Sequence, residues 1–444
     1  MNTPIVDFVR EYGESGTLRL HMPGHKGKPF LGVERLDITE IEGADVLYSA
    51  SGIIAESRRN ASELFGTAST LSSCQGTSLS IRAMLYLAVL VSGGRRKILA
   101  ARNVHKTFMT AAALLDLDVE WMCSGEDGII SCRITADELD ERLSRMAEKP
   151  IAFYYTSPDY LGNMGDTRGF ARVCRKHGVL LLCDNAHGAY LRFLPESLHP
   201  ITLGAHMCCD SAHKTLPVLT GGGYLHISRD APTELCDNGE RAMSMFASTS
   251  PSYLILQSLD MANAYLSEGY REKLLECTEA VARLKSTLAD CGYTLVGDEP
   301  LKVTLAPKSR GYTGLEVAEY LSHRGVVCEF ADRDLIVFML TPEVTSCTGR
   351  LGELLISLHQ REALRDLPPP SHVPPRAMSP REAAFLPSEE IWVDEAVGRV
   401  LASENVSCPP AIPIAVCGEE IDREAAALFK YYGIDRVRVV KNKI

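Results

Sequence analysis

Between about residue 56 and residue 230 the hydrophobic positions alternate between two periods. The stretches "AESRRNASELFG", "TSLSIRAMLYLAVLV", "HKTFMTAAALLDL", "TADELDERLSRMAE" and "DTRGFARVCRKHG" place apolar residues every three or four positions and predict helices. Between them, "KILAAR", "DVEWMC", "IAFYYTS", "VLLLCD" and "HMCCD" are short β-rich runs and predict strands. Thr135, three residues before Glu138, supplies a capping box and fixes one helix start. Short apolar strands alternating with helices predict an α/β region with a mostly parallel sheet covered on both faces. Ligands bind at the carboxyl ends of strands in such sheets, so the residues just after each strand matter most.

The pattern changes further along. "SYLILQSLDMANAYLSEGY" and "EKLLECTEAVARLKSTLADCG" predict two helices, and "YTLVG", "LKVTLAP", "VVCEFA" and "LIVFML" predict strands of a smaller α+β region. "LPPPSHVPPRAMSP", Leu367 to Pro380, is expected to be irregular, because its prolines lack amide donors and break helices. The expected division is an N-terminal segment 1–55, a large domain 56–290, a small α+β domain 291–366, a linker 367–380 and a tail domain 381–444.

Composition narrows the class. The chain has 444 residues, 45% hydrophobic and 23% charged, with a net charge of −11, which argues against a nucleic-acid surface and suits a cationic substrate. Its 14 cysteines include no CxxC pair and sit in apolar runs, which predicts reduced thiols, a cytoplasmic location and no metal site. Cys208 and Cys209 read as core residues. The first residues, "MNTPIVDFVREYGESG", carry early acids and no apolar core of a signal peptide. No apolar run approaches the roughly 20 residues that cross a bilayer, so no membrane role is expected.

Four places carry candidate chemistry. Gly76, Thr77 and Ser78 open a helix, which suits either an ordinary cap or a phosphate cradle. His105 follows the strand "KILAA", where a cap and a site residue are both open readings. Asp184 ends the apolar run Val179 to Cys183 and needs a partner in a sheet interior, and His187 and Gly188 follow it. Lys214 lies in "CCDSAHKTLPVLTGGGYLH", among small and apolar residues that mark it as buried or lining a cleft. A lysine there is costly unless paired or converted. Phosphate donors, a histidine, a buried acid and a lysine, each after a different strand, together suit pyridoxal phosphate, with Lys214 as its Schiff-base partner.

These motifs resemble those of the Orn/Lys/Arg decarboxylase family, basic-amino-acid decarboxylases with the aspartate-aminotransferase fold (pyridoxal-phosphate fold type I, with a seven-stranded type of sheet). "HMPGHKGKP", "DITEIEGADVLYSASGIIAES", "QGTSLS", "RNVHK", "TSPDYLGNMGD", "DNAHGAYL", "SAHKTLPVLTGGGYLH", "STSPSYLILQSLD" and "VDEAVGRVLASENVSCPPAIPIAVCGEEI" match its blocks in order across nearly the whole chain. The length fits the short branch, without an N-terminal wing domain. The resemblance implies that Lys214 holds the cofactor, His105 stacks on its ring, Asp184 partners the ring nitrogen and Ala186 lies beneath the ring. Gly76, Thr77, Ser78, His187, Ser211 and His213 would surround the cofactor and its phosphate. Thr249 would reach the phosphate of a partner subunit, so a homodimer or higher homo-oligomer is expected. Lys214 or His213 would return a proton after loss of carbon dioxide.

Three positions depart from the family pattern: Asn185 where an acid usually follows the aspartate, Gly221 in place of glutamine, and "AVCGEE" in place of Pro-Gly-Glu. The expected reaction is decarboxylation of arginine, lysine or ornithine. The alternatives are another fold-type-I reaction (aminotransferase, aldolase or lyase), in which Arg333 could clamp a carboxylate, or an inactive regulatory homologue. Asp159, Glu329 and Asp332 are candidates for binding the cationic end of the substrate.

Overall fold

The computed structural model describes residues 1–123, 132–370, 372–407 and 412–441. Ser371 of the proline-rich stretch and residues 408–411 and 442–444 of the expected tail domain lie outside the described residues. The chain forms two compact units, Met1–Arg95 with Thr167–Glu272 and Arg96–Asp166 with Lys273–Ile444. The first seven strands are divided between the two units: β1 (Ser69–Ser73), β2 (Lys97–Ala101), β3 (Asp118–Met122), β4 (Ala152–Thr156), β5 (Leu180–Asp184), β6 (Met207–Asp210) and β7 (Gly223–Ile227).

In the first unit the strand order is β1-β7-β6-β5. β5 and β6 are parallel, with Asp184 opposite Cys209, while β7 runs antiparallel to both β6 and β1. Helices Ile53–Phe65, Gly76–Val91 and Thr167–His177 accompany these strands, close to their expected spans. β1 and β7 were not among the expected strands. "STLSS" has one large apolar residue, and its burial comes from pairing with β7 rather than from its own pattern.

In the second unit the order is β4-β2-β3, all parallel. A second sheet, order β10-β11-β9-β8, is built from β8 (Thr294–Val296), β9 (Lys302–Ala306), β10 (Phe330–Ala331) and β11 (Ile336–Met339), each antiparallel to its neighbours. The expected strand "VVCEFA" contracts to the two residues of β10. Towards the C-terminus, β12 (Ser388–Trp392) pairs antiparallel with β15 (Arg436–Val440), and β13 (Asn405–Ser407) with β14 (Pro413–Val416). Val393, Leu401, Ile414, Phe429 and Val439 fill a separate core there. The mostly parallel sheet with helices and the smaller C-terminal sheets agree with the expected fold class.

One boundary needs correcting. The stretch from Leu367 is irregular only as far as Ser379, for Pro380 opens the helix Pro380–Phe385. Ser379 and Glu382 form a capping box around it. Proline is tolerated at this first position because the amide it lacks would have had no intrahelical acceptor. Thr135 and Glu138 form the expected capping box. The described cysteines are all free, and no described helix is long and apolar enough to cross a membrane.

The first helix, Pro4–Glu14, is anchored by one carboxylate. Asp260 Oδ2, on the helix Tyr253–Ser267, accepts from the backbone N–H groups of Ile5 (2.9 Å) and Val6 (3.1 Å). Burial raises the Asp260 pKa to about 6 from an ordinary 3.8, against the lowering pull of these donors. The folded state therefore holds this proton more tightly than the unfolded chain does. The resulting stabilisation is complete below about pH 4 and is lost as pH rises to 6, a difference of about 3 kcal/mol. Asp260→Asn, which keeps an acceptor oxygen without a charge, is expected to gain melting temperature relative to the native chain between pH 4 and pH 7. A difference between the two that stays flat over this range in thermal melts would refute the assignment.

Candidate functional site

The site begins with a place where backbones touch. β7 starts at Gly223, opposite Ser73 at the end of β1. A Cβ on Gly223 would lie 2.9 Å from the Asp210 carbonyl oxygen and 3.2 Å from the Gly76 carbonyl carbon. Gly76 has φ +62°, a conformation that glycine adopts without steric cost, and its N–H donates to Gly221 O at 2.7 Å. Ser73 Oγ donates to Gly76 O at 2.8 Å. This contact brings the first turn of helix Gly76–Val91 against the turn after β6, so that Thr77 Oγ1 and Ser211 Oγ stand 3.1 Å apart. Backbone N–H groups in a first helical turn have no intrahelical acceptors, which suits an anion. Ser78 follows Thr77 in that turn and is half-buried.

Lys214 sits in the single helical turn Ala212–Thr215, and its N–H donates to Ser211 O at 2.9 Å. It is half-buried rather than lying in the core, because the turn stands beyond the end of β6. Its Nζ is 2.9 Å from Nε2 of the buried His187. His213 Nδ1 donates to Gly222 O at 2.8 Å. A carbonyl can only accept, so this bond fixes the proton on Nδ1 and leaves Nε2 as an acceptor in the neutral ring. His213 can therefore give up a proton from Nε2 only after taking one.

Asp184 closes β5 and is buried. Its Oδ1 accepts from the N–H of the buried Ala186 at 3.2 Å and from the Cys209 thiol at 3.6 Å. Thr249 is exposed between helices Gly239–Ser244 and Tyr253–Ser267, and none of these bonds reaches it. His105 belongs to the second unit, where it caps helix Lys106–Leu115 by accepting from the Thr107 N–H at 3.2 Å. Three residues before it, Arg102 makes a bidentate pair with Glu419 at 2.7 and 2.8 Å, and both side chains are buried.

Sequence reading missed a polar cluster at the end of β6, just before the turn that carries Lys214. Asp210 Oδ2 accepts from His199 Nε2 (3.0 Å) and His226 Nε2 (3.1 Å), and its Oδ1 accepts from Asn185 Nδ2 (2.6 Å). All four residues are completely buried. Burial alone would raise the Asp210 pKa, but the two imidazoles more than offset it and hold the carboxyl well below its ordinary range. Burial lowers the pKa of His226 against the pull of Asp210. Cys208 Sγ, His199 Nε2 and an Asp210 oxygen also lie within 4.8 Å of one another, but the histidine and aspartate atoms are already bonded to each other and burial pushes the thiol pKa well up. The cluster explains Asn185, since an acid there would face the Asp210 carboxylate across 2.6 Å with no water to screen it. The signal was available: Asp210 ends "HMCCD" as Asp184 ends "VLLLCD".

Comparison with known proteins places these residues in context. The family profile described as "Orn/Lys/Arg decarboxylase, major domain" matches residues 3–296, and "Orn/Lys/Arg decarboxylase, C-terminal domain" matches residues 358–438. An arginine decarboxylase of Bacillus subtilis (strain 168) is 30% identical over 458 residues, covering 95% of this chain and 92% of the relative. The uncharacterized protein YaaO of the same organism is 28% identical over 455 residues, covering 96% and 93%. Among solved structures, the Francisella novicida lysine decarboxylase LdcF aligns over 99% of this chain and 81% of its own with a TM-score of 0.79. Its 16% identity makes this a likeness of fold.

The backbone contact at Gly223 yields a direct test. Gly223→Ala is expected to destabilise the protein by about 1–3 kcal/mol, because the methyl group meets backbone that cannot move aside alone. Denaturant unfolding should show it, and an unchanged midpoint would mean that the three backbones are not in contact.

Proposed function

Because the chain belongs to the Orn/Lys/Arg decarboxylase family, we propose that it removes carbon dioxide from a basic amino acid, arginine first among the candidates, with pyridoxal phosphate as cofactor. Membership makes the chain an amino-acid decarboxylase; the choice of substrate and the roles of individual residues are our reading. The observation that carries it is the set of side chains around one backbone contact: the Lys214 amine, the paired hydroxyls of Thr77 and Ser211 at a helix start, and the buried Asp184.

That donor set fits the cofactor. The two hydroxyls and the first turn of helix Gly76–Val91 are suited to its phosphate, with Ser78 in the same turn. Lys214 offers the amine for covalent attachment, and His187 beside its Nζ can accept a proton from it. Asp184 is the acid for the ring nitrogen, held in orientation by the Ala186 N–H and the Cys209 thiol. Pyridoxal phosphate supplies the electron sink that stabilises the carbanion left when the bond from Cα to the carboxylate breaks. By the family resemblance His105 would stack on the ring, and Lys214 would return a proton to Cα. His213 is the weaker candidate for that proton, given its tautomer.

Arg333, the arginine considered as a carboxylate clamp, has partners of its own. Its Nε donates to Asp366 Oδ2 at 2.9 Å and its guanidinium lies 5.0 Å over the Tyr431 ring, so it is already engaged. Among the acids considered for the substrate's cationic end, Asp159 and Asp332 accept from nearby backbone amides. Glu329 is exposed, accepts from Tyr160 O–H at 2.9 Å and borders a cleft of about 430 Å³, which makes it the favoured candidate. Leu18, Leu20, Phe30 and Leu31 are each about 80–90% exposed, which suits cover by a second copy of the chain and hence a homodimer. Free cysteines suit a cytoplasmic enzyme.

Three experiments test the reading. Borohydride treatment of the holoenzyme is expected to trap the cofactor on Lys214, and arginine, lysine or ornithine should give its amine and carbon dioxide without a keto-acid acceptor. A label on another lysine, or a stoichiometric keto acid with no amine in mass spectrometry, would overturn it. Asp184→Asn should keep bound cofactor but lose activity by a factor on the order of 10²–10³, as expected when a charge opposite the reacting system is neutralised. Near-normal turnover in that variant would show that another group serves the ring nitrogen.

A further inference from the structure

Asp210 has no part in the chemistry above, yet three donors converge on it and it has no exposed surface. A carboxylate taken out of water costs free energy that its hydrogen bonds must offset, so its location calls for a reason. The residues on either side of its shortest bond supply one. Asn185 directly follows Asp184, and its backbone N–H donates to Cys209 O at 3.0 Å. Asp210 directly precedes Ser211, whose carbonyl holds the Lys214 N–H at 2.9 Å and whose hydroxyl meets Thr77 at 3.1 Å. The 2.6 Å bond from Asn185 to Asp210 is thus a side-chain tie between the strand end that carries Asp184 and the turn that carries Lys214.

The tie has a firm backing. His226 lies on β7, and its Nδ1 is 2.9 Å from Thr70 Oγ1 on β1, so the imidazole that holds Asp210 Oδ2 is itself fixed from the far side. We infer that Asp210 is a positioning residue: by gripping Asn185 it sets where Asp184 and Lys214 stand relative to each other. Its effect on catalysis rests on the decarboxylase reading; its effect on the two segments does not.

The surroundings permit a clean variant. In Asp210→Asn the new amide oxygen can accept from both imidazoles while its NH₂ faces Asn185. Asn185, turned end for end, then presents Oδ1, an atom that has no hydrogen-bond partner in the native structure. The three hydrogen bonds to position 210 are remade without the charge, and the Asn185 NH₂ moves to the buried place where Oδ1 had no partner. The double variant Asn185→Asp with Asp210→Asn restores one carboxylate and one amide in reverse order.

Hydrogen–deuterium exchange on the cofactor-free protein reads the tie directly. Asp210→Asn is expected to raise exchange of the segments 184–188 and 211–215 together by about fivefold, the difference between a charge-assisted and a neutral bond, and the double variant should restore it. In the holoenzyme the single variant should lower kcat with KM unchanged and displace the pH titration of the cofactor's absorbance. Unchanged exchange in both segments would overturn the proposal, as would a rise spread evenly over the molecule or a double variant that keeps the single variant's defect. Should the single variant fail to fold, the double variant decides: native exchange in both segments supports the tie, and raised exchange refutes it. A native enzyme that forms no amine would count against the decarboxylase reading and leave the exchange result standing.

Discussion

The contact of three backbone segments at Gly76, Asp210 and Gly223 is the constraint on which the rest of the site depends. β7 enters between β1 and β6 against their direction, so its first residue must pass both the start of helix Gly76–Val91 and the end of β6. Side chains leave no room for that passage, and glycine at 223 provides it. Once the backbones meet, the helix start and the lysine-bearing turn cannot be separated, and Thr77 reaches Ser211. The glycine-rich stretch after Lys214 is therefore part of the geometry of the site rather than a loose loop.

Charge is handled with the same economy. Asp210 is offset by three donors, and Arg102 by both oxygens of Glu419 with its guanidinium 4.8 Å over the Trp121 ring. Losing one partner of a buried pair strands the other, typically at about 3–5 kcal/mol. The Arg102–Glu419 pair joins residues 317 positions apart and fixes the loop that leads to His105. Glu419 belongs to the "AVCGEE" segment, so the departure from the family pattern there leaves in place the carboxylate that does this.

The sequence made the helices and most strands legible because their apolar periods are strong and their caps explicit, as at Thr135. β1 was not legible, since "STLSS" acquires its burial only through pairing with β7. Nor was the start of the helix at Pro380, where a run of prolines hid a capping box at Ser379. Lys214, Asp184 and Thr77 could be singled out by position after a strand or at a helix start, and Ser211 by the family resemblance; within the first unit the structure links them through Cys209, His187 and one another. The histidines of the Asp210 cluster could not be read in advance. His199 and His226 lie 27 residues apart, and only the reversal of β7 brings both to one carboxylate.

Recognition of a cationic substrate follows a simpler rule. A carboxylate oxygen that already accepts from backbone amides is less available to a guanidinium. Asp159 accepts from Leu161 and Asn163 through the backbone and again from the Asn163 side chain, so its charge holds a turn. Asp332 Oδ1 accepts from the Asp334 and Leu335 amides, and its Oδ2 is buried. Both are also pushed above their ordinary pKa by burial, which further weakens them as counter-ions. Glu329 differs, because its carboxylate accepts from the hydroxyl of Tyr160 rather than from a backbone amide.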